Sequence, residues 1–208
     1  MILIGQYDSP FVRRVGIALR LYGLPFEHRP WSVFGDGDRL RAVNPLMRVP
    51  ALVLDDGDVL VDSATILDHL DSFASAGKRL IPQKEPARRR AMRVVALATG
   101  LGDKAVSLFY EYRLHEMVSE TWAARCRTQI GAVLTALEAE CAGLAGPWWS
   151  GDRIGHADIA VACVLRFVTE VHPGLFPTDA HPALASFCTR AEALQVFREI
   201  SQPFVAPA

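Results

Sequence analysis

The sequence predicts an α+β unit in about the first 75 residues, followed by an all-helical unit. In the first part, short apolar runs of strand character alternate with segments whose apolar residues have helical spacing. Beyond residue 86 the helical spacing continues and no convincing strand pattern is present. The chain has 208 residues, 50% hydrophobic and 22% charged, so its composition is globular and it can bury a substantial core.

The first unit is predicted to contain strands and helices in the order β-α-β-α-β-β-α. The predicted strands lie at residues 1–6, 26–30, 51–54 and 59–61, and the predicted helices at residues 10–22, 38–43 and 63–75. The third and fourth strands are separated by Asp55-Asp56-Gly57-Asp58, and Asp-Gly between apolar runs is a strong hairpin signal. We therefore expect an α+β domain built on a mixed four-stranded sheet.

The second unit is predicted to be an all-α helical bundle. Turn-forming and charged residues at 77–86 indicate a linker, which gives a first domain of residues 1–76 and a helical domain of residues 87–208. The predicted helices of this domain lie at residues 86–115, 120–144, 157–171, 182–191 and 192–201. Since the helix at 157–171 is almost wholly apolar, we expect it to be the buried central helix.

Composition and charge exclude several classes of function. The 22 basic and 23 acidic residues give a formal net charge of −1, which argues against a nucleic-acid-binding surface. No apolar run is long enough to span a membrane, and the first residues lack the layout of a signal peptide, so we expect a soluble cytoplasmic protein. The four cysteines and six histidines have no metal-ligand spacing, so no metal site is expected.

Ser9 and Pro10 lie at the junction between the first predicted strand and the first predicted helix. Serine is a preferred N-cap residue, and proline is tolerated at the first helical position. A hydroxyl at the positive end of a helix dipole is also well placed to hold an anion. The residues alone leave both roles open for Ser9, a simple helix cap or an anion ligand.

Two further junctions carry polar or backbone groups of the same kind. Pro50 directly precedes the third strand, and a cis Val49–Pro50 bond would turn the Val49 N–H and C=O outward to pair with an extended peptide. An ordinary trans proline at the start of a strand is the alternative. Asp62 and Ser63 precede the third helix, where Ser63 as N-cap would leave N–H groups that suit a carboxylate, or would only cap the helix.

Taken together, these motifs resemble the cytosolic glutathione transferase superfamily, of the serine type, over essentially the whole chain. Each motif is weak alone, but their order and spacing are specific. The matching segments are Ser9-Pro10-Phe11-Val12-Arg13-Arg14, Asn44-Pro45 through Val49-Pro50-Ala51-Leu52, Asp62-Ser63-Ala64-Thr65-Ile66, and Gly151-Asp152 with Ala157-Asp158-Ile159. The resemblance implies a thioredoxin-like N-terminal domain that binds glutathione and an all-helical C-terminal domain.

The resemblance also implies roles for individual residues. Ser9 would donate a hydrogen bond to the glutathione sulfur and so stabilise the thiolate, which is the nucleophile. Val49, in the segment that Pro50 ends, would pair with the cysteinyl backbone. Asp62 and Ser63 would hold the γ-glutamyl end, although the aspartate is shorter than the glutamate or glutamine that is common in the family.

Three other residues have less direct parallels in the family. Arg48 stands where lysine is frequent and would contact the glycyl carboxylate. Asp103 ends the segment of residues 99–103, which resembles a family segment whose final aspartate reaches the γ-glutamyl amine of the neighbouring subunit, so its role depends on a dimer. Tyr7 is the rival activating residue, because some classes of the superfamily use tyrosine, but the register of the motif favours Ser9.

The predicted function is therefore that of a glutathione transferase. It would bind glutathione as co-substrate, use no metal, and conjugate the thiol to a small electrophile, as a homodimer active in detoxification. A glutathione-dependent isomerase or dehalogenase shares the same activation step and stays open. So does a binding or interaction protein that keeps the fold without turnover.

One motif departs from the family pattern in the helical domain. Gly155 stands where the family usually has serine or threonine at a helix N-cap. Glycine is an acceptable N-cap, and Asp158 can still reach back to the Gly155 N–H. We therefore expect a weaker cap and an unchanged fold.

Overall fold

The structure is a computed structural model that describes residues 1–206. The chain divides into two compact units, which are described separately. The first unit comprises residues 1–80 together with the chain from Leu194 onward, and the second comprises Ile81–Ala193.

The secondary structure follows the predicted order along the whole described chain. The strands are β1 (Ile2–Ile4), β2 (Glu27–Arg29), β3 (Ala51–Val53) and β4 (Val59–Val61). The helices are α1 (Pro10–Tyr22), α2 (Gly37–Val43), α3 (Ser63–Phe73), α4 (Ala87–Leu114), α5 (Glu120–Ala142), α6 (His156–Val171), α7 (Pro182–Glu192) and α8 (Gln195–Glu199).

The four strands form one mixed sheet in the order β2-β1-β3-β4, which confirms the predicted fold class. β1 runs parallel to β2, since α1 connects them, and antiparallel to β3, while the Asp-Gly turn makes β3 and β4 an antiparallel hairpin. In the register of the sheet, Ala51 pairs with Ile4 on one side and with Val61 on the other. The chain that follows β1, precedes β3 and follows β4 therefore lies at the same end of the sheet.

The second unit is helical, with α4 packed against both α5 and α6. Most side chains of α6 are buried, as expected for a central helix. Its first turn is capped as the sequence predicts, because the Gly155 N–H donates to Asp158 at 2.8 Å. The carboxylate of Glu138 on α5 accepts the N–H groups of Ala183 and Leu184 at 2.9 Å each, and so caps α7.

Two expectations differ from the structure. α3 has Asp62 as its N-cap instead of Ser63, because the Asp62 side chain accepts the Ala64 N–H at 2.8 Å. The segment after Leu194 packs with the first unit, although the sequence analysis places it in the helical domain. Its physical anchor is a buried arginine of α1, Arg13, whose guanidinium donates to two carbonyls of the segment.

Within residues 1–206 no helix combines the length and the apolar character that crossing a membrane would require.

Candidate functional site

Ser9 is the N-cap residue of α1 and has extended backbone angles, φ −68° and ψ 122°. Its Oγ accepts a hydrogen bond from the Val12 N–H at 3.4 Å, and Pro10 occupies the first helical turn. Because Oγ is the acceptor in that contact, the hydroxyl proton is left to donate, and no residue among 1–206 accepts it. The two roles open for Ser9 are therefore compatible: the cap contact holds the hydroxyl at the positive end of the helix.

Gly5 brings the start of α1 and the segment before β3 together. Its φ of +125° suits glycine, and a Cβ at this position would lie 2.5 Å from Val12 Cγ2 and 2.8 Å from Val49 Cβ. Only a residue without a side chain fits between these two valines. Val49 is thereby packed close to the first turn of α1, which Ser9 caps.

The Val49 main chain is the second feature of this end of the sheet. The Val49–Pro50 peptide bond is cis, as the sequence analysis hypothesises. Among the described residues, neither the N–H nor the C=O of Val49 has a hydrogen-bond partner. Unpaired main-chain groups beside a strand are the usual means of binding an extended peptide.

Asn44 shapes the loop before Val49, and the sequence analysis assigned it no role. The residue is buried, its Nδ2 donates to the Arg48 carbonyl at 2.8 Å, and its Oδ1 accepts the Leu46 N–H at 3.0 Å. Met47 in the same loop has a positive φ of 52°. The signal in the sequence was Asn44-Pro45, because asparagine before proline favours the start of a turn.

Asp62 and Ser63 form the third feature, at the N-terminus of α3. Asp62 is exposed and has a φ of 68°, a conformation that residues with a side chain rarely adopt. Ser63 is buried, and its Oγ accepts a hydrogen bond from Nη1 of Arg14 at 3.3 Å. The structure thus ties α1, which begins at the Ser9 cap, directly to the first residue of α3.

Tyr7, the rival activating residue, is occupied by packing. Its ring stacks on His28 with centroids 3.9 Å apart, and the ring lies so close to Gly16 that a Cβ there would be 2.9 Å from Tyr7 Cε1. Burial raises the pKa of the Tyr7 phenol to about 12, although the positive charge of Arg20 acts to lower it. The Tyr7 ring is therefore held by its contacts with His28 and with the backbone of α1 at Gly16.

Arg48 and Asp103 are both exposed, and they belong to different units. Arg48 lies in the loop that Asn44 holds, next to Val49. Asp103 lies on α4, in the second unit. Its contact with a ligand stays a prediction.

The end of the sheet therefore combines three kinds of group. It offers a hydroxyl at a helix N-terminus, an unpaired main-chain donor and acceptor, and an aspartate–serine pair at a second helix N-terminus. This set suits a short, extended peptide with charged ends. Across residues 1–206 no cluster of three or more histidine, cysteine or acidic side chains is arranged to hold a metal ion.

Comparison with known protein families defines the class of protein. The profile of the glutathione S-transferase N-terminal domain matches residues 3–78, which include the sheet except for Ile2 and the three features of its end. The profile of the glutathione S-transferase C-terminal domain matches residues 120–190. The chain belongs to the glutathione S-transferase family.

Individual relatives align with this chain over most of their length. The uncharacterized GST-like protein YibF of Escherichia coli (strain K12) is 30% identical over 84% of this chain and 86% of its own. The maleylacetoacetate isomerase of Pseudomonas aeruginosa is 30% identical over 96% of this chain and 94% of its own. A glutathione transferase family member from Pseudomonas fluorescens Pf-5, solved with bound glutathione, is 34% identical with a TM-score of 0.86, and the match covers 98% and 99% of the two chains.

Proposed function

We propose that this protein is a glutathione transferase, which binds glutathione at the end of the sheet and joins it through its sulfur to a small electrophile. The observation that carries the proposal is the Ser9 hydroxyl, held at the N-terminus of α1 beside the unpaired main chain of Val49. A hydroxyl donor and a peptide-binding edge at one place match a ligand that is both a thiol and a peptide.

The chemistry follows from the acidity of a thiol. A free thiol has a pKa of about 8.5, so only a small share is thiolate at neutral pH. A hydrogen bond from Ser9 Oγ favours the thiolate over the thiol, and the dipole of α1 adds to the effect. Each unit by which the thiol pKa falls needs about 1.4 kcal/mol of preferential stabilisation, which one charge-assisted hydrogen bond supplies.

The remaining contacts follow the resemblance to the family. Val49 pairs with the cysteinyl backbone through its N–H and C=O, with Pro50 ending that segment. Asp62 and Ser63 hold the ammonium and carboxylate of the γ-glutamyl end, and Arg48 takes the glycyl carboxylate. In a homodimer, Asp103 reaches the γ-glutamyl amine of the neighbouring subunit.

A second candidate function is glutathione-dependent isomerisation. It is supported by the similarity to the maleylacetoacetate isomerase of P. aeruginosa over nearly the full length of both chains. The activation step is the same, because both reactions begin with the glutathione thiolate. In isomerisation the thiolate adds to a double bond of the substrate and then leaves, which regenerates glutathione. The two functions differ in whether glutathione is consumed, so the stoichiometry of turnover separates them.

The test compares Ser9→Ala with the matched variant Tyr7→Phe, which also removes one hydroxyl. We expect wild type and both variants to bind glutathione in calorimetric titrations. The pKa of the bound thiol, followed by the ultraviolet absorbance of the thiolate, should rise by about one unit in Ser9→Ala, and turnover of an aryl halide should fall about tenfold or more. Tyr7→Phe should leave both quantities unchanged.

Three outcomes contradict the proposal. If the thiol pKa rises only in Tyr7→Phe, the activating role belongs to Tyr7. If the wild type binds no glutathione at millimolar concentration, the protein is an interaction protein that has kept the fold. If it binds glutathione but turns over no electrophile, it is a glutathione-binding protein without transferase activity.

A further inference from the structure

The loop between β1 and α1 leads from the sheet to the Ser9 cap. It consists of residues 5–8, and the imidazole of His28 on β2 contacts it twice. Nε2 of His28 lies 2.7 Å from the carbonyl oxygen of Gly5, and the ring stacks on Tyr7 with centroids 3.9 Å apart and an angle of 11° between the planes. We propose that His28 is a positioning residue: its hydrogen bond to the Gly5 carbonyl holds the loop that places the Ser9 hydroxyl, an inference that rests on the proposed function.

The direction of this hydrogen bond follows from the acceptor. A carbonyl oxygen only accepts, so Nε2 of His28 carries a proton and donates it to Gly5. The distance of 2.7 Å is at the short end of the range for such bonds. An imidazole N–H points along the plane of the ring, whereas the stack on Tyr7 uses the face of the ring. The two contacts are therefore made by different parts of one side chain and can be removed separately.

The two main-chain groups of Gly5 have different kinds of partner. Its N–H donates to the Arg29 carbonyl at 2.9 Å, which continues the pairing of β1 with β2, while its carbonyl accepts from the His28 side chain. Loss of the imidazole therefore leaves the Gly5 Cα anchored to the sheet, packed beside Val49. It frees the next peptide group, which leads toward Ser9. We expect the effect on the hydroxyl and not on the Val49 main chain.

A small shift of the loop matters because a hydrogen bond depends steeply on its geometry. The Ser9 N–H donates to the Gln6 carbonyl at 3.2 Å, so the cap residue is bonded to the loop as well as joined to it. A movement of Gln6 therefore displaces Ser9. A displaced hydroxyl can still cap α1 through the Val12 N–H, but it donates less well to a thiolate whose peptide backbone is held elsewhere.

The experiment separates the hydrogen bond from the stack with three variants of His28 in the full-length protein. His28→Gln keeps an N–H donor that can reach the carbonyl and loses the aromatic ring. His28→Phe keeps a ring and loses the donor, and His28→Ala loses both. The pKa of the thiol of bound glutathione, followed by the absorbance of the thiolate, should rise by about 0.5 to 1 unit in His28→Phe and His28→Ala. In His28→Gln it should stay at the wild-type value.

A histidine of the other unit makes the same kind of bond and provides the matched control. Nε2 of His172 lies 2.8 Å from the Ala105 carbonyl oxygen, and this side chain is partly buried, as that of His28 is. His172→Phe leaves a carbonyl without its donor, just as His28→Phe does. It should leave the thiol pKa unchanged, whatever it does to stability.

Two further measurements test whether His28 acts through Ser9. S-methylglutathione has no thiol, so its Kd should be the same in the wild type and in His28→Phe, because its peptide contacts are unaltered. Adding His28→Phe to Ser9→Ala should raise the thiol pKa no further than Ser9→Ala alone, since both changes act on one hydrogen bond to the sulfur.

A purely structural role for His28 predicts instead that His28→Phe weakens both ligands equally and leaves the thiol pKa unchanged, and that result overturns the proposal. An equal rise of the thiol pKa in His28→Gln and His28→Phe also overturns it, because the hydrogen bond would then not be the contact that matters. If His28→Phe does not fold, His28→Ala decides by the same comparison with His28→Gln.

Failure of the proposed function looks different from failure of this inference. A wild-type protein that binds no glutathione, or whose thiol pKa is unchanged by Ser9→Ala, refutes both. A wild-type protein that stabilises the thiolate through Ser9, with a thiol pKa that His28→Phe does not alter, refutes only the role of His28.

Discussion

Asp62 has a strained backbone conformation and a carboxylate that caps α3. Its φ of 68° and ψ of 131° cost about 1–3 kcal/mol in a residue with a Cβ, while one oxygen caps α3 through the Ala64 N–H. Asp62→Gly relieves the part of the strain that Cβ causes, and glycine is itself a fair N-cap. We expect the free energy of unfolding in urea to stay the same or rise by about 1 kcal/mol, while glutathione affinity falls.

The control for this prediction is Asp62→Ala, which keeps the Cβ and loses the cap. It should lower the free energy of unfolding by about 1 kcal/mol and weaken glutathione binding as well. If Asp62→Gly lowers stability as much as Asp62→Ala does, the backbone at this position is not strained. If it binds glutathione as tightly as the wild type, Asp62 is not a ligand.

At the scale of single residues, local patterns predicted the candidate ligand-binding groups and did not predict the buried residues that contact them. Ser9, Val49 and Asp62 each stand at a junction of a strand and a helix or loop, and such junctions can be recognised from local patterns. Arg14 contacts a residue 49 positions away in the chain. Local patterns mark Arg14 only as a charged residue on a helix, which ordinarily means a surface position.

At the scale of elements, boundaries with a clear chemical signal were predicted well. α1 runs from Pro10 to Tyr22 as predicted, because Ser9 and Pro10 mark its start and Gly23, with a φ of 74°, ends it. β1 and β3 end at Ile4 and Val53, before their predicted ends at residues 6 and 54. Pairing depends on the partner strand, which a single-sequence pattern does not contain.

The cap of α6 gives a prediction about pH. Asp158 is completely buried and accepts N–H groups from Trp149 and Gly155 at 2.9 and 2.8 Å. Burial raises its pKa to about 6, and the two hydrogen bonds oppose that rise without cancelling it. Between its ordinary pKa of 3.8 and about 6, the folded state binds more protons than the unfolded state, so this carboxyl's contribution to stability falls as the pH increases.

The measurement compares the wild type with Asp158→Asn, which keeps the shape and cannot ionise. Asp158→Asn is expected to be less stable, because an NH2 group replaces one of the two oxygens that accept the Trp149 and Gly155 N–H groups. The difference between the two proteins in urea unfolding should narrow from pH 4 to pH 6, by at most about 1.4 kcal/mol per pH unit. A difference that widens instead would mean that the N–H bonds outweigh burial and hold the pKa of Asp158 below its usual value.

At the scale of the whole molecule, the chain begins and ends in the same compact unit. Helical spacing alone extends the helical domain to the C-terminus, because nothing in residues 194–206 signals a change of partner. The segment instead contacts the first helix. Phe197 is fully buried, and Cζ of Arg13 lies 5.4 Å from the centroid of its ring. A cation on α1 and carbonyls almost 190 residues later form a contact that no local pattern predicts.

Because residues 194–206 pack with the first unit, we expect the stability of that unit to depend on them. A chain that ends at Ala193 loses Phe197 and Ile200, which are 0% and 2% exposed, and it leaves the buried Arg13 without its two carbonyl partners. Removing one buried aromatic side chain costs about 3–5 kcal/mol, a large share of the stability of an ordinary domain. We expect the shortened chain to lose amide protection against hydrogen exchange in α1, while α6, in the other unit, keeps most of its own.

The matched control ends at Gln202, which retains Phe197, Ile200 and the hydrogen bond from the Tyr7 N–H to Gln202 Oε1 at 3.3 Å. This chain should exchange its α1 amides as slowly as the full-length protein does. Equal protection of α1 in the chain ending at Ala193 would show that the first unit is complete without the segment. Loss of protection in α1 and α6 together would show that the two units unfold as one. Only a loss that begins in α1 matches the contacts of Arg13, because that side chain joins the segment to the helix that Ser9 caps.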